Sequence, residues 1–284
     1  MESGSPTLLR RRLGRALRGL REHAGLTGDE AGARVERSGS WISRVEAGRV
    51  GLRVRDLQDL LDLYQLDDLH RRAELEGLAR EGRQRGWWSR YSDSISEAYS
   101  IFIGLEAEAR TLLSYDHIAI PGLLQTEDYC RALVRQAARP ELPTDLLEAR
   151  VQVRMTRQAE LRKSPPELRF VLDEAVLHRA YGGKATLRNQ LQHLTEVVRE
   201  QRVDLRVITF DHADLYLVAK TPFVIMEFPQ DPSLVYIETL SGATYVDEPQ
   251  EMDSYSTIFE SLTTVALEPA ASAALIEEMA DKLT

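Results

Sequence analysis

The sequence predicts two folded parts of different class: a mainly α N-terminal domain, and a larger α+β C-terminal domain with a mixed sheet covered by helices. Three observations predict this. The 284 residues exceed the roughly 100–200 that an ordinary domain holds. Apolar residues in the first eighty or so positions recur at helical spacing, whereas after Leu168 short alternating runs interleave with helical ones. Charge divides in the same way. Residues 1–55 hold 12 Arg and 6 acidic side chains, a balance of +6, and the rest hold 24 basic and 39 acidic, a balance of −15. The boundaries read from these patterns are 1–66 for the first domain, 67–86 for a linker helix and 87–284 for the second domain.

In chain order, Leu8 to Ala24 reads as a helix with Leu13, Leu17 and Leu20 on one face and Arg10, Arg11, Arg12, Arg15 and Arg18 elsewhere. Thr27, followed three residues later by Glu30, forms a capping box and starts a short helix to about Arg34. Glu36-Arg37-Ser38-Gly39 is turn-prone, and Ser38 suits the N-cap of the next helix. That helix, Ser40 to Ala47, turns Ile42 and Val45 inward, and Gly48 stands where a left-handed C-cap belongs. Two short helices joined by a tight turn, the second polar and Arg-bearing outside, make a helix-turn-helix. Leu57, Leu60, Leu61 and Tyr64 then close the small core, and Asp67 to Arg83 follows as a further helix.

Ser94 to about Ser114 reads as helix and His117 to Ile120 as a short strand. Thr126 caps a helix to about Ala138, and Thr144 begins a long one to about Lys163, stopped by Ser164-Pro165-Pro166. Leu168–Leu172 is a strand, Asp173–Leu177 a helical turn and Lys184–Arg199 a helix with Leu187, Leu191, Leu194 and Val198 inward. Strands follow near Val203–Phe210, Phe223–Phe228, Leu234–Glu238 and Ala243–Val246. Helices near Pro249–Ala266 and Pro269–Leu283 complete the chain.

The first segment resembles the DNA-binding domain of the phage-repressor class, the xenobiotic-response-element-type (XRE) regulators. Leu13-Gly14-x-x-Leu17, Arg21, Gly25-Leu26-Thr27, Ser38, Trp41-Ile42-Ser43-Arg44-Val45-Glu46 and Gly48 carry the resemblance. It implies that Arg21 and Glu46 form a structural ion pair. It places the base-reading positions at Gly39, Ser40, Ser43 and Arg44, and Thr27, Ser38, Trp41, Arg49 and Arg53 complete the candidate DNA-binding set. Arg44 suits a bidentate contact to guanine, Ser40 and Ser43 a base or a phosphate, and Arg49 and Arg53 phosphates. Gly39 allows only close approach, and Trp41 either packs on the preceding helix or lies along the backbone of the duplex. Gly28 departs from the Gln usual in that family. The remainder resembles the actinobacterial XRE regulators of the WhiJ-like, antitoxin-like kind. Arg85-Gly86-Trp87-Trp88, Ile103 to Ala109, Pro121 to Tyr129, Leu172-Asp173-Glu174-Ala175 and Gly182-Gly183 carry that likeness. It implies a transcription regulator, encoded beside a small partner protein that opposes it.

Other chemistry is thinly supported. Gly182-Gly183-Lys184 lacks the spacing of a phosphate-binding loop. Asp173 and Glu174 fit a helix start better than paired catalytic carboxylates. The six His, His117 and His212 among them, show no zinc spacing. The single Cys130 excludes an internal disulfide, suits a reducing compartment and fits helix packing. No catalytic residue, metal or cofactor is expected. Trp87, Trp88, Tyr115, Gln125, Thr126, Tyr129, Phe223 and Tyr236 are the candidate surface for an effector or partner, against the alternative that they fill the core. The expected partners are a double-stranded operator, a second copy of the chain through the linker helix or the C-terminal domain, a small neighbour-encoded protein, and otherwise a small-molecule effector. With no apolar run near the ~18 residues of a membrane span, a cytoplasmic location is expected.

Overall fold

The structure is a computed structural model that describes residues 5–137, 142–212, 219–239 and 242–283. It divides into two compact units. The first comprises the chain to Arg90 together with Ser100–Glu108, and the second Tyr91–Tyr99 with Ala109 onward.

The first unit is helical: α1 (Pro6–His23), α2 (Gly28–Arg34), α3 (Gly39–Glu46), α4 (Val54–Leu63) and α5 (Leu69–Glu81), followed by a 3-10 turn at Trp87–Tyr91. The helix α6 (Glu97–Glu106) contributes its residues from Ser100 onward. One buried cluster holds it together, with Leu13 and Leu17 of α1, Ala31 of α2, Ile42 and Val45 of α3, Leu57, Leu60 and Leu61 of α4, and Leu75 and Ala79 of α5. Residues 67–86 were expected as a linker between domains. Instead α5 lies within the first unit, because Leu75 and Ala79 complete the same core. Leu69 and Ala73 of the same helix are exposed.

The second unit is built on a six-stranded sheet of order β3-β2-β1-β4-β5-β6. The strands are β1 (Thr111–Asp116), β2 (Glu167–Asp173), β3 (Asp204–Ile208), β4 (Phe223–Glu227), β5 (Leu234–Thr239) and β6 (Gly242–Val246). β1, β2 and β3 run parallel, and β4, β5 and β6 add antiparallel neighbours to make a mixed sheet. Crossovers between the parallel strands supply α7 (Glu127–Ala137), α8 (Thr144–Leu161) and α9 (Lys184–Arg199), and the chain closes with α10 (Pro249–Val265) and α11 (Pro269–Asp281).

Alternation along β2 shows how both faces are filled. Phe170 and Leu172 join Leu205 and Val207 against α9 and α11 on one side. Val171 joins Tyr115, Ile208, Phe223 and Ile225 against Phe259 and Leu262 of α10 on the other. A run such as Phe-Val-Leu is therefore apolar throughout, as a strand covered on both faces requires. The β3 edge is covered at Val207 by α11 and the segment just before it. Leu267 N–H donates to the Val207 carbonyl at 2.9 Å, and the fully buried Ser272 Oγ accepts from Val207 N–H at 3.0 Å.

The expected helix to Ser114 and strand at His117–Ile120 are displaced. α6 ends at Glu106, and the strand comes earlier, at 111–116. Thr111-Leu112-Leu113-Ser114-Tyr115 pairs with β2 on one side and β4 on the other, and this pairing outweighs the local helical spacing. Ile118 is left half-exposed past the strand end.

Asp116, the last residue of β1, has its carboxyl pushed up to about 7, chiefly by burial and further by Glu238, against the lowering effects of the Ser114 hydroxyl and Arg157. The folded chain therefore holds this proton more tightly than the unfolded chain, whose Asp titrates near about 4. The stability it contributes is fully present below about pH 4 and is lost as pH rises through about 7. Thermal melting of the Asp116→Asn variant should show a smaller loss of stability between mildly acidic and mildly alkaline pH than the parent. Parallel profiles would remove Asp116 as the source.

Candidate nucleic-acid interface

The helix-turn-helix begins with Thr27, whose Oγ1 accepts from Glu30 N–H at 3.2 Å, while the Glu30 carboxylate accepts from Thr27 N–H at 2.8 Å. The same bond holds the Glu30 carboxyl below its ordinary range. Ser38 caps α3, with its Oγ accepting from Trp41 N–H at 3.2 Å and lying 2.9 Å from Ser40 Oγ. At the other end Gly48, at φ +69°, closes α3. Its N–H reaches the Val45 carbonyl, and Arg49 N–H reaches that of Arg44, the paired bonds of a Schellman cap.

Three contacts tie the end of α3 to α1. Arg21 grips Glu46 with both arms of its fork, Nε to Oε1 at 2.6 Å and Nη2 to Oε2 at 2.9 Å. Its remaining nitrogen donates to the Leu26 carbonyl at 2.7 Å. Both side chains are nearly buried, and the Glu46 hydrogen bond raises the Arg21 pKa still further. A Cβ at Gly14 would stand 2.3 Å from the Glu46 carbonyl oxygen, and one at Gly48 2.8 Å from the Arg11 backbone. Close backbone approach and a bidentate pair together fix the helix.

The opposite side of α3 faces outward. Ser40, Ser43 and Arg44 are exposed, as are Thr27, Ser38, Arg49 and Arg53. Among the described residues Arg34, Arg44, Arg49, Arg53 and Arg55 form no salt bridge and no side-chain hydrogen bond, and neither does Glu36 of the turn before α3. Gly39 is half-buried for an internal reason: a Cβ there would meet the Asp29 carboxylate. Trp41 is half-buried against the core, and the Arg37 guanidinium lies over its ring, 5.2 Å from the centroid. Arg37 and its partner Asp56 carry no local signal in the sequence, because 19 residues separate them. A Cβ at Gly28 would meet only ordinary contacts, so packing does not dictate the missing Gln side chain.

Residues 12–75 match a helix-turn-helix domain family. Residues 99–278, well over half of the chain, match the family described as "Domain of unknown function (DUF5753)". The chain belongs to the DUF5753 family. Its helix-turn-helix is that of an XRE-like, DNA-binding regulator. No curated protein and no solved structure matches the chain.

In this DUF5753 protein the proposed effector surface mostly dissolves into the interior. Trp88, Tyr115, Gln125, Tyr129, Phe223 and Tyr236 are buried, while Trp87 and Thr126 are half-buried. The reason is packing. Tyr115 and Phe223 fill the layer under α10, and Tyr129 joins the cluster under α9. Gln125 is spent on the turn before α7, donating to the Ile120 carbonyl at 2.6 Å and accepting from Arg154 at 2.9 Å. Gln158 and Gln190 brace the same turn through the carbonyls of Gly122, Gln125 and Leu124. Thr126 N–H donates to Gln190 at 2.7 Å. Cys130 is a packing residue, and burial pushes its thiol up. Burial likewise lowers the pKa of His117.

Replacing Arg21 by Ala strands the Glu46 charge and should destabilise the first unit by about 1–3 kcal/mol in urea melts, with Arg21→Lys recovering only part. Unchanged melting would show that the pair contributes nothing. On DNA, Arg44→Ala should cost about 1–3 kcal/mol at the preferred site and relax choice at one base pair. Arg49→Ala should weaken all duplexes alike and flatten the salt slope by about one unit. Equal losses on preferred and mixed duplexes for Arg44→Ala would exclude base reading.

Proposed function

We propose that this protein is a sequence-specific transcription regulator that binds its operator as a homodimer, with a second unit that answers to a small protein encoded beside it, in the antitoxin-like manner. The observation that carries the reading is the outward face of α3, with Ser40, Ser43 and a salt-bridge-free Arg44 exposed on a helix locked to the core by Arg21 and Glu46. A helix so held enters the major groove as a rigid body, with the side chains near its N-terminal end at the base edges. Two copies related by a two-fold axis place two such helices about one duplex turn, ~34 Å, apart. The acidic remainder of the chain repels phosphate, so the arginine-rich end meets the duplex.

A protein partner is favoured by two exposed apolar side chains at the C-terminal ends of the parallel strands. Ile118 follows β1 and Phe210 follows β3, and both are about half exposed. The rival reading, a small effector in an aromatic pocket, loses most of its lining to the core. The protein acts by binding rather than catalysis. Asp173 accepts from Ala175 N–H at 2.7 Å, and Glu174 from Phe210 N–H at 3.0 Å, which are structural duties. No helix among the described residues is long and apolar enough to cross a membrane. A regulator of this kind works where its operator lies, in the cytoplasm.

Footprinting on the DNA upstream of its own gene, with and without the neighbouring gene product, tests the reading. Two protected half-sites one turn apart, altered by the neighbour, are expected. Absence of any preferred site at low ionic strength overturns the regulator. A footprint indifferent to the neighbour overturns the partner.

A further inference from the structure

Six arginines lie between Gly28 and Asp56, and Arg37 is the one among them with a carboxylate partner in the described residues. Its Nη2 donates to Asp56 Oδ1 at 3.0 Å, while the guanidinium carbon sits 5.2 Å from the centre of the Trp41 ring. Arg37 belongs to the turn leading into α3, Trp41 to the first turn of α3, and Asp56 to the first turn of α4. The trio therefore borders the end of α3 that leads into the groove, beside the exposed Ser38, Ser40, Arg53 and Arg55.

We propose that Arg37 is a phosphate-contacting residue held in place on Trp41 and engaged by Asp56 until DNA arrives, so that Asp56 weakens binding to every duplex alike. The proposal rests on the regulator reading above. The exchange follows from magnitudes. Arg37 and Asp56 are partly solvated, with side-chain exposures of 45% and 21%, and such a pair contributes little. A phosphate contact releases condensed counterions, a larger gain at moderate salt. The Trp41 face holds the cation in the same place whether its partner is carboxylate or phosphate, which limits the ordering cost. Asp56 itself is a negative charge beside the phosphate track. A contact to phosphate carries no base information, so Asp56 lowers the general grip on DNA and leaves base choice to Arg44 and its neighbours.

The test measures affinity for a mixed-sequence DNA duplex about three turns long, across a salt series, for the full chain and its variants. Asp56→Asn should bind about two- to fivefold more tightly. Arg37→Ala should bind about five- to tenfold less tightly near physiological salt, with a salt slope shallower by about one unit. Arg37→Lys should keep the slope. On the Arg37→Ala background, Asp56→Asn should gain less than it does alone. Melting curves establish that each variant is folded, and Arg37→Gln, which also removes the charge, stands in if Arg37→Ala does not fold. A folded Asp56→Asn that binds no more tightly, or a folded Arg37→Ala with an unchanged slope, overturns the proposal. Wild-type protein that binds no duplex overturns both this inference and the regulator reading, whereas unchanged variants of a binding wild type overturn this inference alone.

Discussion

The helix-turn-helix depends on how α3 is held from behind. Apolar burial of Ile42 and Val45 presses the helix onto the core, but a surface so small leaves it free to slide and rotate. Arg21 removes that freedom with a forked bond to Glu46, and Gly14 and Gly48 let the end of α3 come down onto the α1 backbone. A lysine at position 21 would supply the charge without the planar fork, and so without the orientation. Because the clamp grips the C-terminal end, the N-terminal end and its serines remain outside. The same geometry explains why Glu46, an acid in a helix that must approach phosphate, does no harm: its charge is turned inward and neutralised.

Charge is managed residue by residue on this side of the molecule. Glu46 is cancelled by Arg21 and Glu30 is drawn into the capping box, while Asp29 lies against Gly39 at the start of α3. Asp56 is left to compete for a cation that the surface would otherwise offer. The unpaired arginines then dominate the local field, although the whole chain carries a net charge of −9. A local basic surface with an acidic remainder favours approach by one end, since the field near a surface is set by nearby charges within the screening length.

The second unit is stabilised mainly by burial on both faces of its sheet, and its polar groups are used to finish what burial cannot. Ser272 and Leu267 occupy the N–H and the carbonyl of Val207 on the β3 edge, groups that would otherwise pair with another strand. Gln125, Gln158 and Gln190 satisfy the carbonyls and amides of the turn after β1, where no regular structure does so. Such residues are polar in sequence and look like surface, yet their chemistry is internal.

Periodicity, caps and turn residues determined most of the elements from the sequence alone. The capping box at Thr27, the cap at Ser38, the left-handed Gly48 and the helix Lys184–Arg199 all stand as their local patterns require, because each is decided by neighbours within a turn or two. The order of strands in the sheet, the start of β1 at Thr111, the docking of α5 into the first core and the burial of Tyr115, Tyr129, Phe223 and Gln125 were decided by tertiary structure. An aromatic or a glutamine has the same local preferences whether it lines a surface or fills a core. Only the layer that arrives from elsewhere in the chain, such as α10 over Phe223 or α9 beside Tyr129, removes it from water. The Arg37–Asp56 pair shows the same limit at the proposed DNA-facing end, since two charges 19 residues apart become partners only when α4 folds back beside the turn.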